Sequence, residues 1–270
     1  MGKIITFGTL KGGVGKTMLC FNVGGILSQL DYRVLVVDSD LQGNLTNNMG
    51  IDRTSADLLT TYEIYNIEGE PPAPEQLVLK APIDRLPLLD MIAGSIFLHK
   101  AELKIASVAG REQILSNYLS DHKAFFDQYD YILIDTNPSM SIVNQNAFLV
   151  SDAILLVSDV SMNAIEGAQL FIALWEDARR RLRREDNIKG FIVNDYDARN
   201  RLSADFLEYL KTSPDTEDLR ALCFETVIPR NVKITESELA AVPISIYDLH
   251  CKGCDAIASL VDEMMTRGIL

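Results

Sequence analysis

An apolar run, Ile4-Ile5-Thr6-Phe7, leads straight into Gly8-Thr9-Leu10-Lys11-Gly12-Gly13-Val14-Gly15-Lys16-Thr17, after which apolar residues recur at helical spacing as far as Leu30. Few patterns restrict a chain more than strand, glycine-rich turn and helix in that order. The glycines let consecutive backbone amides point into one concavity, and the following helix adds about half a positive charge at its N-terminus. The turn is therefore an anion cradle, and a polyphosphate fits it. Lys16 is placed to reach the β- and γ-phosphates and Thr17 to ligate Mg²⁺, the roles of the last two residues of a phosphate-binding loop. Gly12, Gly13, Val14, Gly15 and Met18 complete the expected cradle. The general pattern G-x-x-x-x-G-K-[ST] fails at its first glycine, where Leu10 stands.

Six more apolar runs follow at helix-length intervals: Val34 to Val37, Leu88 to Ile92, Tyr131 to Ile134, Ala153 to Val157, Phe191 to Val193 and Thr226 to Ile228. Runs without polar alternation suit strands buried on both faces, and the spacing suits crossover helices. The expected fold is α/β, a doubly wound, mostly parallel sheet with helices on both faces. Ile165 to Leu182 and Ala256 to Met265 read as covering helices, and 68–75, rich in Pro and Glu, reads as a surface loop rather than a boundary. At 270 residues with no repeat, the chain is expected to form one domain over 1–270.

Composition narrows the compartment. Four cysteines, Cys20, Cys223, Cys251 and Cys254, are too few and too unevenly spaced for a secreted disulfide framework, and no leader pattern opens the sequence, so a cytoplasmic protein is expected. No apolar run is long enough to span a membrane. The net charge of −13 argues against a protein coated in positive charge. From Arg179 to Arg201, however, eight basic residues face four acidic ones, a local surplus of four.

Two further strands end in carboxylates. Val34-Leu35-Val36-Val37-Asp38-Ser39-Asp40 runs into Leu41-Gln42-Gly43-Asn44, and Tyr131-Ile132-Leu133-Ile134-Asp135 into Thr136-Asn137-Pro138-Ser139. Ligands of open α/β sheets bind beyond the carboxyl ends of the strands, so Asp38 and Asp40 are expected to face the phosphates. Asp135 has the setting of a Walker B residue that supports Mg²⁺.

Lys11-Gly12-Gly13-Val14-Gly15-Lys16-Thr17 resembles the deviant Walker A motif of the ParA/MinD ATPases, a subset of P-loop NTPases. Thr226-Val227-Ile228-Pro229-Arg230-Asn231-Val232-Lys233 resembles the I-P-R-N-V-R segment of ParA/Soj-type partition proteins. The resemblance implies an ATP hydrolase working with ATP and Mg²⁺ as an ATP-sandwiched homodimer, in which Lys11 reaches the partner's nucleotide. It implies that Asp40 orients the attacking water, that Thr17, Asp38 and Asp135 serve the metal, and that Asn194, Pro229, Arg230 and Asn231 hold adenine. Asn137 replaces the family's first proline in D-x-P-P-S, and Leu41 replaces the proline of D-x-D-P-Q-G-N.

The same resemblance implies nonspecific DNA binding through Arg199 of Tyr196-Asp197-Ala198-Arg199, through Lys233 and through Lys252, with the arginines from Arg179 to Arg184 either extending the patch or decorating a helix end. Plasmid or chromosome partition with a ParB-type centromere-binding adaptor, and association with the nucleoid, follow as expectations. Positioning of another cargo stays open as the alternative. Membrane attachment of the MinD kind is not expected, because Asp255, Asp262 and Glu263 face Arg267 alone in the final segment. Larger plasmid members carry an N-terminal helix-turn-helix that is not found ahead of the first strand, so self-repression through that device is not expected.

Overall fold

Seven strands of one sheet account for all seven apolar runs in a computed structural model that describes residues 2–270. They are β1 (Lys3–Gly8), β2 (Val34–Ser39), β3 (Leu89–Ile92), β4 (Tyr131–Thr136), β5 (Ala153–Ser158), β6 (Ile188–Tyr196) and β7 (Cys223–Pro229). The order is β3-β2-β4-β1-β5-β6-β7, and every pairing is parallel. β1 lies between β4 and β5, so the winding direction reverses beside it. That reversal opens a crevice at the carboxyl end of β1, where the glycine-rich turn begins.

Alternate residues of each strand feed opposite faces. Ile5, Phe7, Val36, Leu133 and Leu155 join a cluster with the helices Lys16–Gln29 and Lys252–Thr266. Ile4, Leu35, Val37, Ile132 and Ile134 pack on the opposite face with Leu115, Leu119 and Phe126, and farther along Ile154, Leu156 and Phe191 meet Phe171 and Trp175 of the helix Met162–Arg181.

The helix Lys16–Gln29 is apolar nearly all round because it is covered on both sides, by the sheet and by the helix Lys252–Thr266. That double cover holds the phosphate-facing end of the helix rigid. The apolar face of Lys252–Thr266 is spent inside, with Ile257, Leu260, Val261 and Met264 all buried, while Glu263 accepts from the Glu225 and Thr226 amides of β7. Among the described residues no helix is long and apolar enough to cross a membrane. The segment 68–75 is a loop only as far as Ala73, since Pro74 sits in the first turn of a short helix, Pro74–Leu77, where its missing N–H costs nothing.

Candidate functional site

β1 delivers the turn and the helix Lys16–Gln29 carries it away. Gly15, the residue before the helix, has φ of 100°, and a Cβ there would sit 2.2 Å from Asn194 Nδ2. Only glycine fits both demands. Asn194, at the end of β6, donates from Nδ2 to the Val14 carbonyl at 2.7 Å. It braces the turn from a strand two places away, which adds a second duty to its expected place at the base.

Behind the turn is a dense set of charges. Thr17 Oγ1 donates to Asp135 Oδ2 at 2.6 Å, and Asp135 Oδ1 is buried with no partner among the described residues. Burial, reinforced by nearby Asp38, raises the Asp135 carboxyl well above the ordinary carboxylate range. Burial lowers the Lys16 ammonium, against the pull of Asp135 and Asp40. Asp135 and Asp40 both act on the one buried lysine and Asp38 on Asp135, which leaves negative charge to be balanced, and the orphaned oxygen of Asp135 is what a bound cation would satisfy. No three His, Cys, Asp or Glu side chains among the described residues form a metal cage. Mg²⁺ keeps waters and takes few protein ligands besides phosphate oxygens, and the Thr17 hydroxyl with Asp135 behind it would supply such a set.

The two carboxylates of the β2 end part company. Asp40 lines a cavity of about 350 Å³ with Gly12 to Met18, Asn44, Asn48, Pro138 and Glu238, and its Oδ1 accepts from the Gln42 amide. Asp38 does not reach that cavity. Its Oδ2 takes the Thr46 hydroxyl at 2.6 Å and the Thr46 amide, its Oδ1 takes the Asp40 amide, and burial raises its carboxyl. Gly94 presses on it so closely that a Cβ would fall 2.6 Å from Asp38 Cγ. Of the two carboxylates expected to face the phosphates, Asp40 lines the cavity and Asp38 does not, because Thr46 draws it back into the protein.

A second cavity, about 470 Å³, adjoins the first and is lined by Asn194, Asp195, Pro229, Arg230, Asn231 and residues after them. Arg230 grips Asp195 through two hydrogen bonds, 2.8 and 2.6 Å, and Asp195 has a positive φ of 59°. Asn231 caps the helix Val232–Leu239 by accepting from the Lys233 amide. Both volumes are of the size that small-molecule sites take.

Lys11 points the other way. Its Nζ donates to Asp159 Oδ2 at 2.5 Å and to Ser161 Oγ at 2.8 Å, in the loop after β5. Nothing in the sequence pairs these residues. The loop after β4, whose Asn137 replaces a proline, is pinned by hydrogen bonds instead of a ring: Asn144 Nδ2 donates to the Asn137 carbonyl and side chain and to the Ser139 carbonyl, and Ser139 Oγ donates to Asn137 Oδ1. Pro138 keeps its place in the cavity wall.

The cations expected on a DNA face are mostly occupied within the chain. Arg199 is almost fully exposed yet forks onto Asp197, and Lys233 pairs with Glu236 at 2.8 Å under the Tyr247 ring. Lys252 stands exposed in the first turn of its helix. The arginine stretch belongs largely to a helix end: Arg179 and Arg180 pair with Glu176, Arg181 with Asp177, and Arg184 donates to the Ser151 carbonyl. Cys251 accepts from the Cys254 amide as a helix cap, and Cys254 is buried.

Comparison with known proteins shows the family and the fold. The AAA domain family AAA_31 matches residues 2–188. The sporulation initiation inhibitor protein Soj of Bacillus subtilis is 31% identical over 99% of this chain and 100% of its own length. The chromosome partitioning protein ParA of Caulobacter vibrioides is 32% identical over 98% of this chain and 94% of its own. Among solved structures, apo McdA of Cyanothece superposes with a TM-score of 0.82 at 20% identity, covering 98% of this chain and 100% of that one. That last likeness concerns the fold.

Proposed function

This chain belongs to the ParA/Soj-type partition ATPases, and from that membership we propose that it is a DNA-segregation switch whose ATP-bound homodimer binds DNA regardless of sequence and is released by hydrolysis that a ParB-type adaptor stimulates. The observation that carries the reading is that Lys16, Thr17 and Asp40 line one cavity with Asp135 behind it on the Thr17 hydroxyl, while a second lysine of the same loop, Lys11, is held away by Asp159.

In this reading the amides of the turn and Lys16 bind the phosphates, and the adjoining cavity bounded by Asn194, Pro229, Arg230 and Asn231 takes adenine. Thr17 would ligate Mg²⁺, with Asp135 and the more withdrawn Asp38 holding its waters, and the ion would neutralise charge on the β- and γ-phosphates. Asp40 orients water toward the γ-phosphate. Lys11 leaves Asp159 to reach the triphosphate of a second copy, and a cation supplied in trans is worth roughly 10³ to 10⁵ in rate in related phosphoryl-transfer switches. Because each copy lacks that cation until it meets another, hydrolysis waits for dimerisation.

The DNA contacts follow from charge. A single copy, at −13 overall and with Arg199 and Lys233 already neutralised by Asp197 and Glu236, has little attraction for a polyanion. Two copies side by side double the patch of Arg199, Lys233 and Lys252, and counterion release from the phosphate backbone then favours exchange of the internal carboxylates for DNA. Such a dimer would gather on the nucleoid.

A mobility-shift titration with ADP, with ATP and with a Lys16→Ala variant tests the reading. A shift with ATP alone is expected, and equal binding in all three states overturns it. The pairing of the expected DNA cations inside the chain favours one second reading, a positioning ATPase for another cargo. A stable ATP dimer that ignores DNA would select it.

A further inference from the structure

The phosphate cavity and the adjoining cavity share only three lining residues, Gly13, Met18 and Glu238. Glu238 is the one polar side chain among them. In a nucleoside triphosphate that spans both cavities, the sugar lies where they meet, because the sugar is what joins base to phosphate.

The state of the Glu238 carboxylate fits a ligand rather than a structural partner. Its Oε1 accepts from Asn48 Nδ2 at 3.0 Å, while Oε2 accepts nothing among the described residues. Among the described residues no cation pairs with it, since Lys233 is taken by Glu236 and Arg230 by Asp195. The side chain is half-buried, and burial raises its carboxyl above the usual range. Oε2 opens on the cavity, where water meets it until a hydroxyl of a bound ligand takes that place. Hydroxyls are the donors a sugar offers, whereas phosphates offer only acceptors and would be repelled. Carboxylates elsewhere read ribose hydroxyls in dinucleotide sites by the same chemistry.

We propose that Glu238, braced by Asn48, accepts the ribose hydroxyls of the bound nucleotide and makes this site select ribonucleoside over deoxyribonucleoside triphosphates. The inference rests on the nucleotide reading above and names a residue that reading does not use. It also gives the sugar a mechanical role. Glu238 belongs to the helix Val232–Leu239 and Asn48 to the helix Asn44–Asn48 that follows the Asp40 turn, so one hydrogen bond ties the base side of the site to its hydrolytic side.

The test is a calorimetric titration of the full chain with ATP, 2′-deoxy-ATP and 3′-deoxy-ATP, for the wild type and for Glu238→Ala and Glu238→Gln. A hydrogen bond to a charged group is worth about 1.5 to 3 kcal/mol, so the wild type should bind at least one deoxy analogue about 10-fold or more weakly than ATP. In Glu238→Ala that ratio should fall to within about twofold through loss of ATP affinity, with binding of the deoxy analogue unchanged. Glu238→Gln keeps an acceptor and should fall between. An undiminished ratio in Glu238→Ala, or no discrimination by the wild type, overturns the sugar contact while leaving the nucleotide reading intact. Failure of the wild type to bind any of the three overturns both.

Discussion

Lys11 and Lys16 sit in one loop, and the fold treats them in opposite ways. Lys16 opens a helix, is buried, faces Asp135 and Asp40, and has its ammonium lowered by loss of water. Lys11 stands on the rim, a third exposed, held by Asp159 and Ser161 of a different crossover. One lysine is built into its own pocket and cannot leave without stranding buried carboxylates. The other is docked by an ion pair that solvent screens, so it can be traded for a stronger anion at little cost. On the proposed reading the loop holds a nucleotide and also meets a second copy, and that takes one cation of each kind.

Removing either lysine tests that division. Lys16→Ala should weaken nucleotide binding by at least about 100-fold, as truncating one partner of a buried charge pair does. Titration with a fluorescent nucleotide checks this, and near-normal affinity would mean that the buried lysine is structural only. Lys11→Ala should leave monomer affinity for ADP within about twofold and lower ATP turnover roughly 10³-fold. If the two variants failed in the same way, the contrast between the lysines would be lost.

Acidity sharpens the buried half. The Asp135 carboxyl is pushed up to about 8, so between the ordinary carboxylate range and that value the folded protein binds a proton that the unfolded chain has released. Stability of the nucleotide- and metal-free protein should therefore fall as pH rises from about 5 to 8, by a few degrees in Tm. Lys16, with its ammonium lowered by burial, acts in the opposite sense as pH rises toward the ordinary lysine value. Added Mg²⁺ and nucleotide should reverse the trend, since they supply the balance that the proton otherwise provides. A Tm that rises over this window without ligand would contradict the arrangement of carboxylates. The smallest effect belongs to the dock: Asp159→Ala frees Lys11 from a partly exposed pair worth about 0.2 to 1 kcal/mol. The ATP-dependent dimer, measured by sedimentation, should strengthen by up to about fivefold. A weaker dimer would show that Asp159 serves the assembled state instead.

Much of this was legible in the residues. All seven strands coincide with apolar runs because strands buried on both faces carry no polar alternation to hide them. Lys16, Thr17, Asp40 and Asp135 lie where their sequence positions suggested, because each stands at or just past the end of a strand or turn whose direction is known. Local reading faltered over Asp38, which shares a strand end with Asp40 yet is captured by Thr46 eight positions on. It gave no hint that Asn137 would be stiffened by Asn144, that Asn194 would brace the turn, or that Asn48 and Glu238 would meet across 190 positions.

The succession of strands and turns, and the chemistry each turn carries, could be read from the residues alone, since periodicity and glycine placement act over a few positions. Which charges are paired and which are open emerges only from the folded chain. Lys11 meets Asp159 from 148 positions away, Arg230 meets Asp195 from 35, and Glu238 is left without a cation. An ion pair depends on distances of a few ångström between segments that the chain separates widely, and those distances exist only once the sheet has closed around its core.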